Sequence, residues 1–378
     1  MIDSVRLTFC YVRRICMKTI SYTEELQPEY KLPAYYTTQY PDGRFLFFDI
    51  ETTGFAAAHT TLYLIGVLWY EDNSLHIRQW FNDDGYSEGD LLHAFHTFSK
   101  DFTHLVHFNG LGFDIPYLRN KCIAQGLEDP AWETLGQIDI FRLIRSYKNL
   151  FGLSSMKQTS IEGYLGINRE DTYTGKDLIH IYQRYVAKPN EQEEHLLLLH
   201  NHDDLLGMPQ LSVILNYTMF FEHMTITNLT ITEEEQSLHL EWEHTSASYL
   251  PKRLAVSKDG VYLNAAGQHA NIWIPIKDQT LKHYFADYKN YYYLPQEDMA
   301  IHKSVATYVE PDHRVKATKA TCYIKQQAAF IPCYLSDSFD CFLEDISSKQ
   351  TYQTVQSLLD APESLQQATI LAILKQYL

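Results

Sequence analysis

Asp49 and Glu51 stand two residues apart at the end of the apolar run RFLFFDI (44–50), directly before Thr52, Thr53 and Gly54. On a strand, residues at that spacing leave the same face. Two carboxylates projecting together from a strand end can share one hard divalent cation, which takes oxygen ligands. D-x-E by itself is read equally well as an acidic turn after a strand. Asp114 closes NGLGFD (109–114), just before a helical stretch. It suits a metal, and it equally suits a helix N-cap with Pro116 in the first turn. In HNHDDLLGM (200–208), His200 and Asp204 lie four apart and share one helical face, for which a solvated surface is the competing reading.

The elements that must position these residues follow from apolar periodicity. RFLFFDI reads as a strand buried on both faces. LYLIGVLWY (62–70) and LHIRQWF (75–81), separated by the turn EDNS, predict an antiparallel pair. EGDLLHAFHTFSK (88–100) has helical spacing, THLVHFN (103–109) returns to strand, and IPYLRNKCIAQ (115–125) is again helical. IFRLIRSY, MKQTSIEGYL, KDLIHIYQRYV and a run from Glu191 to Tyr217 continue as helices. Strands first, then alternation, then helices predict an α/β domain with a mixed sheet over residues 44–217. Residues 1–43 read as an irregular lead-in, with 1–16 a loose tail or an over-extended start before Met17. Residues 218–378 read as a smaller α+β region, with alternating segments such as SLHLEWE and ANIWIPI and a helical end.

Bulk properties narrow the function classes. At 378 residues, two domains are expected, and 45% hydrophobic residues supply their cores. No apolar run approaches the roughly 20 residues of a membrane-spanning helix, and no secretory signal is recognisable, so a cytoplasmic protein with no membrane partner is expected. The six cysteines form no C-x-x-C pair, which disfavours a zinc ribbon or dithiol centre and leaves buried free thiols as the expectation. The net charge of −16 is unusual for a protein that binds phosphate chains, although a carboxylate site that holds cations is negative by design.

Taken in order, D-I-E on a first strand, N-x-x-x-F-D after a fourth and H-N-x-x-D on a late helix resemble the three motifs of the DEDD (DnaQ-like) 3′–5′ exonuclease superfamily. FFDIETTG with LYLIGV, HFNGLGFDIPYL and SIEGYLGINRED look most like the YprB-type ribonuclease H-like domain family, over about residues 44–217. The resemblance implies a ribonuclease H-like mixed sheet flanked by helices. It also implies two Mg²⁺ or Mn²⁺ ions held by Asp49, Glu51, Asp114 and Asp204, and hydrolysis of single-stranded DNA or RNA from the 3′ end. Two such ions can stabilise both the attacking and the leaving oxygen of an in-line displacement. Family members place Tyr four residues before the last Asp, or His five before it; this chain has His200 four before Asp204. His200 is accordingly expected to act as general base or to orient water. A register using Asp203 leaves no histidine at a matching offset. Thr52, Thr53, Asn109 and Lys157 are expected substrate contacts, with turn stabilisation as the alternative for each. A non-catalytic binding module on the same fold and a structure-specific endonuclease are the competing expectations.

In the C-terminal region, RVKATKATCYIK (314–325) with Tyr291, Tyr292 and Tyr293 could grip a single strand through phosphate contacts and stacking. Tyrosines packed on a sheet are the competing reading.

Overall fold

The computed structural model describes residues 17–377, apart from 170, 172, 223, 233–235 and 244–248. The reading of residues 1–16, and Cys10 and Cys16 with it, lies outside the described residues. The chain divides into two compact units, one formed by Met1–Arg145 with Ser154–Leu215, the other by Ser146–Leu153 with Asn216–Leu378.

The first unit is built on a six-stranded mixed sheet. Its strands are β1 (Lys18–Glu25), β2 (Phe45–Thr52), β3 (Leu62–Glu71), β4 (Ser74–Phe81), β5 (His104–His107) and β6 (Gly136–Asp139), in the spatial order β1-β4-β3-β2-β5-β6. β1 to β4 pair antiparallel with their neighbours, whereas β5 and β6 run parallel to β2. The β3–β4 hairpin turns at Asp72 and Asn73, both at positive φ (48° and 58°), as a two-residue hairpin loop requires. The helices are α1 (Ala34–Gln39), α2 (Glu88–Ser99), α3 (Asp114–Gln125), α4 (Ile140–Ile144), α5 (Gln158–Leu165), α6 (Gly175–Ala187) and α7 (Glu191–Leu211).

The alternation of side chains along β2 divides the core. Leu46, Phe48 and Ile50 face one layer with Leu91, Leu92 and Phe95 of α2 and Ile115 and Leu118 of α3. On the other face, Tyr63, Leu64 and Phe81 pack with Leu178, Ile181 and Tyr182 of α6 and Leu197 and Leu198 of α7. Asp49 and Glu51, out of phase with the first set, therefore share a face of the sheet with α7. Helix α7 starts at a side-chain cap, Asn190 accepting from the Glu193 N–H, with Glu191, Glu193 and Glu194 in its first turn where the helix dipole favours acids.

The lead-in contains one element that the sequence pattern hides. Lys18–Glu25 pairs along its whole length with β4, from Lys18↔Phe81 to Glu25↔Ser74. As an exposed edge strand it buries almost nothing, so KTISYTEE carries no apolar alternation to read.

The second unit is β-rich. A five-stranded antiparallel sheet is formed by β7 (Thr225–Thr232), β8 (Ser237–Glu243), β9 (Leu250–Lys258), β10 (Val261–Gly267) and β11 (His269–Pro275), in the order β7-β8-β11-β10-β9. Two three-stranded sheets follow, made by β12 (Lys277–Tyr284), β16 (Tyr323–Cys333) and β17 (Thr351–Thr354), and by β13 (Tyr291–Leu294), β14 (Met299–His302) and β15 (Val315–Lys316). The helices α8 (Asn216–Glu222), α9 (Lys303–Ala306), α10 (Val355–Leu359) and α11 (Glu363–Tyr377) complete the unit. Tyr291 and Tyr293 pack against a cluster of Ala300, Ala317 and Cys322, and Arg314 lies over the ring of Tyr292 at 5.1 Å. Within this region Arg314 thus engages Tyr292, while Tyr291 and Tyr293 pack inward. The four described cysteines are free, with Cys122, Cys322 and Cys333 buried. Among the described residues, no helix is long and apolar enough to cross a membrane.

Gly66 of β3 sets the approach of α7. It lies opposite Asp49, and a Cβ there would collide with the side chains of Asn201 and Leu205. Overpacking of this kind costs about 1–3 kcal/mol. Gly66→Ala is expected to lower the thermal midpoint by about 3–10 °C; a variant that melts with the wild type would show that α7 is not seated on β3 this closely.

Candidate metal centre

Three distant segments meet at the end of β2. The strand contributes Asp49 and Glu51, the first residue of α3 contributes Asp114, and α7 contributes His200 and Asp204. The β2–β3 register shifts between Glu51 and Thr52, so the strand departs from regular pairing where its acids end.

Each carboxylate is held differently. Asp49 Oδ2 accepts from Asn201 Nδ2 at 2.9 Å, and the Asn201 Oδ1 in turn accepts from the fully buried Gln79 at 2.9 Å. Glu51 Oε2 accepts from the Tyr63 hydroxyl at 3.3 Å. Asp114 accepts backbone N–H groups of its own residue and of Ile50. Phe113 occupies the N-cap position, without a side-chain cap, and Asp114 is the first helical residue. Asp204 Oδ1 accepts from Arg169 Nη1 at 2.7 Å, and the same Nη1 lies 3.0 Å from Oε2 of the buried Glu162. Asp203 turns elsewhere, accepting the Asp171 backbone N–H at 2.8 Å.

Glu51, His200 and Asp204 present ligand atoms that all lie within 4.8 Å of one another. His200 Nε2 is 3.6 Å from Glu51 Oε1 and 3.7 Å from Asp204 Oδ2, while Nδ1 is 2.6 Å from Asp171 Oδ2. Asp171 is almost fully buried, so it fixes the ring from behind.

Charge crowding is visible in the acidities. Burial first, then the charges of Asp204, Glu51 and Asp114, push Asp49 well above the usual carboxylate range. Glu51 is raised to about 7 by burial, against which the nearby His200 works. Burial also raises Asp114 to about 7, despite its two backbone donors. For His200, burial would lower the pKa, but Glu51, Asp204 and Asp171 outweigh it and raise it. Mutually repelling carboxylates beside an imidazole fit a divalent cation, whose charge reverses the local balance. Asp49, Glu51, Asp114, Asp204 and Nε2 of His200 are the donors that would hold it.

Of the four residues expected to contact substrate, Asn109 and Lys157 are exposed and Thr52 and Thr53 are half-buried. Thr52 Oγ1 donates to the Gly54 carbonyl at 2.9 Å, and Thr53 Oγ1 accepts the Thr61 N–H at 2.8 Å, so both hydroxyls stitch the loop after β2. Asn109 is exposed at positive φ (63°), and its N–H donates to Asp139 Oδ1 at 3.0 Å. Asp139 also takes the N–H groups of Leu111 and Arg142, holding the loop that delivers Asp114. Lys157 is exposed at the N-cap of α5; its neighbour Gln158 donates to the Asp204 carbonyl at 3.0 Å. Sequence reasoning missed Arg169 and Asp171, which lie in the NRED segment (168–171), and it gave no role to Asn201, although this residue is the second of the H-N-x-x-D motif.

Residues 46–216, just under half of the chain, match the family model of the RNase_H superfamily, and this part is a ribonuclease H-like domain. No curated protein matches the chain. Among solved structures, the family B DNA polymerase from the hyperthermophilic archaeon Pyrobaculum calidifontis is 17% identical over 48% of this chain and 26% of the polymerase, with a TM-score of 0.40. A product-bound exonuclease I is 12% identical over 59% of this chain and 58% of its own, with a TM-score of 0.34. The matches thus span about a quarter and rather over half of those two chains.

The raised acidities have a defined sign. Between the ordinary range near pH 4 and about pH 7, the folded protein holds protons on Glu51 and Asp114 that the unfolded chain releases. Without metal, stability therefore falls as pH rises through that window and levels off above it, as far as these groups contribute. Glu51→Gln removes one of them. In chelator, the variant is expected to melt with the wild type at pH 5 and about 2–8 °C above it at pH 8. Parallel melting curves across pH would refute the crowding.

Proposed function

We propose that residues 44–217 form a metal-dependent nuclease of the DEDD type, similar to the YprB-type domains, which removes nucleotides from the 3′ end of single-stranded DNA or RNA. The observation that carries this reading is the meeting of Asp49, Glu51, Asp114 and Asp204 in a ribonuclease H-like domain, where burial first and neighbouring carboxylate charge second raise the pKa values of Asp49, Glu51 and Asp114. A structural cluster would be neutralised by lysine and arginine. Here Arg169 answers one carboxylate oxygen of Asp204, and among the described residues no lysine or arginine is ion-paired with Asp49, Glu51 or Asp114.

Bound Mg²⁺ or Mn²⁺ ions, two in this reading, would activate water and steady the leaving 3′ oxygen. The chain's own residues hold and orient. Asn201, fixed by Gln79, aims Asp49; Tyr63 steadies Glu51; Asp139 anchors the loop that places Asp114. In this reading Thr52, Thr53, Asn109 and Lys157 would supply backbone and side-chain contacts for sugar and phosphate. Phe55, 90% exposed, meets Phe113 edge-on at 5.8 Å and offers a face on which a base can stack.

A digestion panel of single- and double-stranded DNA and RNA, labelled at either end, tests the reading. With Mn²⁺ or Mg²⁺, stepwise shortening from the 3′ end is expected, and Asp49→Asn should reduce it more than about a hundredfold while the fold persists. Intact substrates under every metal, with neither ion bound, would overturn it; internal cuts would make the protein an endonuclease. Phe55→Ala is expected to weaken oligonucleotide binding about tenfold, because base stacking contributes about 1–3 kcal/mol. Unchanged affinity by fluorescence anisotropy would remove Phe55 from the substrate path.

A further inference from the structure

His200 makes one strong hydrogen bond and faces two carboxylates without bonding to either. At 3.6 and 3.7 Å, the separations of Nε2 from Glu51 Oε1 and Asp204 Oδ2 exceed any N–H···O bond. They approach the spacing of atoms that share a cation: ligands about 2.1 Å from a metal and subtending a tetrahedral angle are about 3.4 Å apart. The buried Asp171 takes the Nδ1–H at 2.6 Å, which leaves the lone pair of the neutral ring on Nε2, directed at Glu51 and Asp204. A carboxylate behind a histidine, fixing its tautomer and raising its basicity, is the usual support of a metal-bound imidazole. Asp204 is arranged compatibly, since Arg169 occupies Oδ1 and Oδ2 is the oxygen turned towards the ring.

We propose that His200 is a cation ligand through Nε2, with Asp171 as its positioning residue, and that the Glu51–His200–Asp204 site therefore selects a nitrogen-accepting transition cation such as Mn²⁺ over Mg²⁺. This rests on the reading of the cluster as the metal centre of a nuclease, and it replaces the proton-accepting role expected of His200 from its position in the motif. An imidazole nitrogen suits first-row transition ions, whereas Mg²⁺ prefers oxygen and water in an octahedron.

The test uses the full chain, freed of metal and reloaded with Mn²⁺ alone. Pulsed electron paramagnetic resonance is expected to show ¹⁴N coupling to the ion, lost in His200→Gln. By titration calorimetry, His200→Gln should lower Mn²⁺ affinity at least about tenfold and Mg²⁺ affinity less than about threefold. Asp171→Asn, which can still accept the Nδ1–H, should keep the ¹⁴N signal and lower Mn²⁺ affinity about tenfold. Mn²⁺ bound without ¹⁴N coupling, or with coupling that survives in His200→Gln, would overturn the proposal while leaving the nuclease reading intact. Equal losses of Mn²⁺ and Mg²⁺ affinity would overturn the selectivity, and an Asp171→Asn variant with unchanged affinity would remove Asp171 from it. Should His200→Gln fail to fold, the wild-type spectrum alone decides ligation. Failure to bind any cation, together with intact oligonucleotides, would instead bring down the nuclease reading itself.

Discussion

Asp49, Glu51, Asp114 and Asp204 crowd together at the end of β2 with Glu51 and Asp114 buried, and the domain around them must supply the energy to hold them there. A carboxyl raised from the ordinary range to about 7, as Glu51 and Asp114 are, represents on the order of several kcal/mol of unfavourable environment per group at neutral pH. Two apolar layers, one on each face of β2 and β3, offset this. Phe48 and Ile50 are anchored on one side of the sheet, and that leaves Asp49 and Glu51 on the other with no freedom to turn away. The close seat of α7 over Gly66 completes the trap, since Asn201 and Leu205 fill the space a larger residue would take.

The polar supports follow from the same constraint. A free carboxylate would protonate or swing to solvent, and each acid here is met by a donor that opposes this: Asn201 for Asp49, Tyr63 for Glu51, backbone N–H groups for Asp114, Arg169 for Asp204. Most of these donors are neutral. A neutral donor orients a carboxylate without cancelling its charge, so the attraction for a cation survives. Arg169 is the exception, and its second bond to the buried Glu162 divides its charge between two acids.

Sequence alone was informative wherever burial imposes a period. The strands from Phe45 to Phe81 and the helices at Glu88 and Asp114 announce themselves because one face or both must be apolar. The strand Lys18–Glu25 does not, because an edge strand that lays little more than Ile20 against the core selects for little but polarity and chain extension. In the site, Asp49, Glu51, Asp114, His200 and Asp204 stood out through the order of three short motifs that resemble a known family, since the spacing of each motif alone suited an acidic turn, a helix cap or a solvated face as well. Asp171 and Arg169 lie on an irregular connection between α5 and α6, where no period relates a residue to what it touches. Only the folded chain shows that Asp171 stands behind His200. The tyrosines at 291–293 were ambiguous for the opposite reason: the strand signal was clear, but which face packs and which is free depends on partners such as Phe285 and Ala300 that no local pattern names.

The histidine four residues before Asp204 makes sense physically only together with Asp171. A tyrosine at that position would carry its own donor and acceptor on one oxygen and would need no group behind the ring. An imidazole has two nitrogens whose roles are opposite when it is neutral, and nothing in α7 itself decides which one keeps the proton. Asp171, buried and 2.6 Å from Nδ1, decides it. The same residue ties its backbone N–H to Asp203, so the connection carrying Asp171 is fastened to the turn of α7 that bears Asp204. Ring orientation and carboxylate position are thereby set by one segment. A histidine in this place is therefore paired with a local structure that a tyrosine would not require.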